Sequence, residues 1–214
     1  MSHSTIQLFE KPSENDAKVV LRDREIRGAL REHLMRRNPV PFKIIEELGV
    51  HNGNAKADLV AMYKEMHCYE IKGATDSIGR VVKQASFFDE AFPRVSLVTT
   101  SNHLKWCSEN LPSYWGLLLA DNSSDRIFLR YVRSAKNSPR FVKKKALMML
   151  WKEELKNIAL ETANIRVKSS YSREDLAEHV SAVLDKNTTI SSIRRAISGR
   201  LFVNGVADVS DMTS

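Results

Sequence analysis

"KADLVAMYKEMHCYEIKG", residues 56–73, decides the fold. It holds two extended apolar runs, 58–63 and 66–72, separated by Lys64-Glu65, and the second run carries Glu70 and Lys72 inside what otherwise reads as a buried strand. Two such runs across so short a link read as a β-hairpin, although the turn lacks the Asn-Gly or Asp-Gly signal. Alternate strand residues share a face, so Cys68, Glu70 and Lys72 point one way and His67, Tyr69 and Ile71 the other. Asp58 joins Glu70 and Lys72 only if paired positions sum to an even number. A two-residue turn at Lys64-Glu65 has the wrong parity, so the expectation is a three- or five-residue loop or a bulge.

Two facing carboxylates repel, and one takes up a proton unless a cation shares the site. A hard divalent cation removes the conflict. Mg²⁺ suits Asp58 and Glu70 because it accepts oxygen ligands, keeps several waters and lets phosphate oxygens complete its shell. The adjacent Lys72 would hold or polarise an attacking water and offset charge building on phosphorus. The competing structural reading is plainer: Glu70 and Lys72 form a surface ion pair on an edge strand, and Asp58 caps the start of a strand.

Upstream, a helix is expected from Ser13, with a capping box of Ser13 and Asp16 and apolar residues Val19, Ile26, Ala29, Leu30 and Leu34 at helical spacing, ending before Pro39. Residues 41–49, "PFKIIEELG", read as a second helix, with Pro41 in its first turn and Gly49 just past its end. Downstream come a helix in 75–92, an apolar strand "RVSLVTT" (94–100), a short helix in 102–112, a strand "YWGLLLAD" (114–121) and an extended stretch "RIFLRYV" (126–132). Strands alternating with helices point to α/β layers around a mixed sheet. The remainder is helical: one long helix over 138–161, one at 172–184 with a Ser172–Asp175 capping box, and one at 188–201. The expected organisation is a tail at 1–13, a core at 14–135, a helical extension packed on it at 136–203 and a second tail at 204–214.

The chain has 214 residues, 43% hydrophobic and 28% charged, which suits a folded domain with a sizeable core. No apolar run approaches the roughly 18–20 residues a bilayer span needs, and the N-terminus lacks a secretory layout, so a cytoplasmic protein without membrane association is expected. Cys68 and Cys107 have no CxxC partner and read as core thiols. The net charge of +7 is concentrated between Arg130 and Lys168, where eleven Lys and Arg face three acids. That is either a solvated helix face or a surface for a polyanion.

The ordered set of motifs resembles the PD-(D/E)XK nuclease superfamily. The residues concerned are Glu47-Leu48-Gly49, Ala57-Asp58, Tyr69 to Gly73, Asp76-Ser77, Arg80 and Gln84, followed by Leu97 to Thr100, His103, Pro112, Trp115-Gly116 and Leu119-Ala120. The layout is most similar to small bacterial and phage members, and the likeness covers most of residues 15–200. It implies a restriction-endonuclease-like core in which Asp58 and Glu70 are metal ligands, the Ile71 carbonyl reaches the metal and Lys72 is the catalytic lysine. It also implies a supporting acid from the preceding helix, where Glu46 and Glu47 compete and a 100° step per residue favours Glu47. Gln84 occupies the place of a glutamine near the site in related nucleases. Ala57 stands where the motif's name has proline.

The expected function is hydrolysis of DNA by a metal-activated water, with Mg²⁺ as cofactor and Mn²⁺ as its substitute. Arg80, Arg140, Lys143, Lys144 and Lys145 are the candidate contacts to the DNA backbone. The alternatives are a nucleic-acid-binding module of the same fold that does not cut, and a subunit that needs a partner protein. The helical C-terminal section offers a surface for that partner or for a second copy of the chain.

Overall fold

The computed structural model describes residues 20–123, 126–200, 202–203 and 206–207. Six strands form one mixed sheet in sequential order: β1 (Lys43–Val50), β2 (Ala55–Met62), β3 (Met66–Lys72), β4 (Arg94–Thr99), β5 (Gly116–Ser123) and β6 (Arg126–Arg133). Strands β3, β4 and β5 are parallel and the other neighbours antiparallel. Parallel neighbours require crossovers, supplied here by α2 (Gly79–Ala91) and α3 (Ser101–Asn110). The central strands are covered on both faces, which is why they read as nearly continuous apolar runs.

Helix α1 (Asp23–Met35) closes one face, packing Ile26, Leu30 and Leu34 on Leu59, Ala61, Tyr69, Ile71 and Val98. The opposite face, with Ile45, Val60, Met62, Cys68 and Leu97, lies under α2 and four C-terminal helices. These are α4 (Lys143–Leu147), α5 (Lys152–Glu161), α6 (Arg173–Val183) and α7 (Lys186–Gly199). The architecture is mixed α/β, as the alternation of strand and helix patterns implies. Among the described residues, no helix is long and apolar enough to cross a membrane.

Three expectations on the elements need correction. Residues 41–49 do not form a helix; residues 43–50 are strand β1, paired along its length with β2. Pro41 and Gly49 mimic helix punctuation, but cross-strand pairing and the burial of Ile45, Leu48 and Val50 override that local signal. The long helix over 138–161 is instead α4 and α5, separated at 148–151. Met148, Met149 and Leu150 are all buried, so this stretch has no solvent side, and the Trp151 N–H is capped by Glu154 Oε2 at 2.8 Å. The first helix begins at Asp23, where Glu25 accepts from the Arg22 N–H at 3.0 Å. The Ser13–Asp16 box lies outside the described residues, as does the tail at 1–13.

The Ser172–Asp175 box is formed, with Asp175 N donating to Ser172 Oγ at 3.1 Å and Ser172 N to Asp175 Oδ2 at 2.9 Å. Near the chain's end, β7 (Phe202–Val203) pairs with β8 (Val206–Ala207). The rest of 204–214 lies outside the described residues.

The hairpin has the required parity. Its pairs run from Leu59↔Tyr69 to Met62↔Met66, every pair sums to an even number, and the loop is the three residues 63–65. The β1–β2 ladder adds a feature the pattern did not announce. Ile45 and Leu48 reach the same core although three residues apart, and so do Ala57 and Val60. Regular pleating would put them on opposite faces. The phase changes in both strands at one level, between the pairs Glu46↔Leu59 and Leu48↔Ala57, where Glu47 has a left-handed φ of 57°. A non-glycine residue in that region carries roughly 1–2 kcal/mol of strain.

Candidate active site

The β2–β3 ladder stops at Leu59↔Tyr69, and beyond it the Asp58 side chain takes over the backbone's role. Its Oδ2 accepts from the Ile71 N–H at 2.7 Å, while Oδ1 accepts from Arg27 at 3.1 Å. Arg27, on α1, is the hub of this side of the site. Its guanidinium also reaches Glu47 Oε1 at 2.8 Å, the Asp58 carbonyl at 2.8 Å and Asp23 Oδ1 at 2.9 Å. Burial works against its charge, yet Asp58, Asp23 and Glu47 together hold its proton more tightly than usual.

Glu70 is 2% exposed. Its Oε1 lies 2.5 Å from Lys72 Nζ, which also donates to the Ile71 carbonyl at 3.1 Å. Its Oε2 is buried without a hydrogen-bond partner among the described residues. Burial pushes the Glu70 carboxyl up to about 8, reinforced by the Asp58 carboxylate and opposed by Lys72. Burial raises Asp58 as well, against the Ile71 N–H, Lys72 and Arg27. Burial and the neighbouring Asp58 carboxylate thus favour the protonated form of Glu70, and Lys72 opposes it.

Whether these groups suit a cation turns on that lone oxygen. Glu70 Oε2 receives no hydrogen bond from the described residues, so it is open to a cation once the carboxyl proton leaves. Among the described residues no three His, Cys, Asp or Glu side chains group into a cage. Asp58, Glu70 and the Ile71 carbonyl are instead a partial oxygen set, which fits an ion such as Mg²⁺ that takes its other ligands from water and phosphate.

The remaining sequence-derived residues are distributed unevenly. Glu47 reaches the site through Arg27 and, at 3.4 Å, faces Lys56; it does so from a strand rather than the expected helix. Glu46 turns to Arg31 at 3.4 Å. Gln84 is half-buried on the stripe of α2 that carries Val81 and Phe88, and hydrogen-bonds to neither acid among the described residues. Arg80, Arg140 and Lys145 are exposed. Lys143 donates to the Leu184 carbonyl at 2.6 Å, and Lys144 pairs with Glu174 at 3.0 Å and Glu178 at 2.7 Å, so both tie α4 to α6. Arg27 and Asp23 escaped sequence reading. Their i,i+4 spacing signals only a surface helix pair, and nothing local reveals that Arg27 crosses to β1 and β2.

Protein cII of Enterobacteria phage P4 is 26% identical over 140 residues, covering 65% of this chain; the chain spans about half (53%) of that protein's length. A solved structure, the SPO1766 protein of unknown function from Silicibacter pomeroyi, is 20% identical with a TM-score of 0.37, covering 69% of this chain and 93% of that one. The family described as Bacteriophage P4 protein cII matches residues 16–207, nearly the whole chain, and this protein belongs to that family.

Proposed function

We propose that this chain is a divalent-metal-dependent nuclease that hydrolyses DNA phosphodiester bonds. The observation that carries the reading is the convergence of Asp58, Glu70 and Lys72, with Glu70 Oε2 buried and unpartnered. Asp58, Glu70 and the Ile71 carbonyl would hold the ion, which when bound supplies a more acidic water and charge stabilisation for a phosphoryl oxygen. Arg27 fixes one oxygen of Asp58 and the Ile71 N–H the other, so the carboxylate is oriented before any ligand arrives. Lys72 is held between Glu70 and the Ile71 carbonyl, from where its ammonium can shift toward a developing negative charge. Exposed basic groups such as Arg80, Arg140 and Lys145 would contact DNA phosphates without reading sequence.

A second reading is a DNA-binding module that does not cut. Its support is that Arg27 and Lys72 already provide cationic partners for Asp58 and Glu70. One experiment separates the two: incubation of the purified protein with supercoiled, linear and single-stranded DNA, with and without Mg²⁺ or Mn²⁺, beside Asp58→Ala and Lys72→Ala. The nuclease reading expects metal-dependent cutting that each substitution reduces by roughly 100-fold or more. Cutting without metal, or variants as active as the parent, would remove the site assignment. DNA binding indifferent to Mg²⁺, with no cleavage, would establish the binder.

A further inference from the structure

A cavity opens at the end of β3 away from Glu70 and Lys72, where that strand leaves the 63–65 loop. It has a volume of about 900 Å³, with walls from the segment after α1, the loop, β6 and one side of α7. This is the size range of small-ligand sites. Its lining is strongly one-sided in charge: Arg37, Lys64, Arg94 and Arg194 against the single acid Glu65. Glu65 is engaged by Arg94 at 3.0 Å, and Arg194 is fixed on the Tyr63 and Lys64 carbonyls at 2.6 and 2.9 Å. Arg37 and Lys64 form no ion pair among the described residues and are exposed.

The rest of the wall is aromatic. Tyr63 and Tyr131 are half-buried there, with Tyr69 and His67 packed behind them; Tyr69 is 2% exposed. Arg37 lies over Tyr131, 4.6 Å from its centroid, and His67 stacks on Tyr69 at 4.2 Å. Both His67 nitrogens are occupied, Nε2 by Ser96 Oγ at 2.8 Å and Nδ1 by the Tyr69 hydroxyl at 3.2 Å. Burial first, then Arg94 and Arg37, lower its pKa to about 3, so the ring is neutral and the cationic excess belongs to the arginines and Lys64.

Flat rings beside uncompensated cations fit a ligand with a planar apolar part and a compact multiple negative charge. We propose that this cavity binds a nucleoside monophosphate, its base against Tyr63 and Tyr131 and its phosphate toward Arg37 and Lys64. The cavity shares no residue with the Asp58–Glu70–Lys72 cluster, so the inference stands independently of nuclease activity.

Calorimetric titration of the full chain tests it, with nucleoside monophosphates, free nucleosides and inorganic phosphate as separate probes. Monophosphates are expected to bind saturably at or below millimolar concentration, and phosphate or nucleoside alone more weakly by about tenfold or more. Arg37→Gln and Lys64→Gln, both at exposed positions, are expected to weaken binding by about tenfold with an unchanged melting temperature. Lys72→Ala is expected to leave it untouched. No saturable binding, equal affinity for phosphate alone, binding of oligonucleotides only, or indifference to both glutamine substitutions would each overturn the proposal.

Discussion

At the scale of single residues, the chemistry of Glu70 governs what can be expected of the site. Its carboxyl is pushed to about 8 in the folded chain, against an ordinary value of 4.5. A carboxyl raised in this way binds its proton more tightly folded than unfolded. Its contribution to stability is fully present below about pH 4.5 and is lost as pH rises through about 8, a change on the order of a few kcal/mol. Without divalent metal, raising the pH from about 5 to 9 is therefore expected to lower the melting temperature of the parent relative to that of Glu70→Gln. A parallel pair of curves would show that Glu70 is ionised throughout. Under the proposed function, metal must displace the Glu70 proton, so the rise in melting temperature caused by Mg²⁺ or Mn²⁺ is expected to be larger near pH 8.5 than near pH 6. Equal shifts at both values would count against ligation by Glu70.

At the scale of elements, the site depends on how α1 is delivered to the end of β3. The segment leading into α1 crosses Gly73 so closely that a Cβ there would lie 2.8 Å from the Leu21 carbonyl and 2.9 Å from Arg22 Cα. The Ala74 N–H donates to that same carbonyl at 2.8 Å. Both obstacles are backbone, so neither can rotate away. Gly73→Ala is expected to cost about 1–3 kcal/mol in urea unfolding and to displace α1, and with it Arg27. An unchanged midpoint would contradict the close crossing. The same elements show what sequence can and cannot disclose. The hairpin and its odd-length loop were legible because strand alternation and the need to bring Asp58 beside Glu70 leave few registers. Strand β1 was not, because "PFKIIEELG" changes phase at Glu47, and a strand whose alternation breaks in the middle carries apolar residues at helix-like intervals. Arg27 was hidden for a different reason: its partners, Glu47 and Asp58, are 20 and 31 residues away in the chain.

At the scale of the whole molecule, the C-terminal helices are part of the core. Ala146, Leu147, Met149, Leu150, Leu155, Leu176 and Ile193 belong to the same buried cluster as Ile45, Val60, Cys68 and Leu97 of the sheet. Arg200, at the end of α7, is buried against Glu154 of α5 at 2.5 Å and stacks over Trp151 at 4.3 Å. Several of the basic residues that make the region from Arg130 to Lys168 look like a nucleic-acid surface serve this packing, Lys143 and Lys144 among them. Arg133 serves the sheet side instead, donating to the Trp115 carbonyl at 2.8 Å. A shared core implies shared unfolding: its two sides cannot lose their common apolar contacts separately. Trp115 reports on the sheet side, hydrogen-bonded through Nε1 to Asp89 at 2.6 Å, and Trp151 reports on the helical side. With the other tryptophans replaced by Phe, each is expected to give the same urea midpoint. Leu150→Ala, which empties a fully buried position, is expected to lower both midpoints together by the equivalent of about 2–5 kcal/mol. Two separated midpoints, or a shift in the Trp151 signal alone, would make the C-terminal section an independent unit and would free its basic residues from the structural role argued for them.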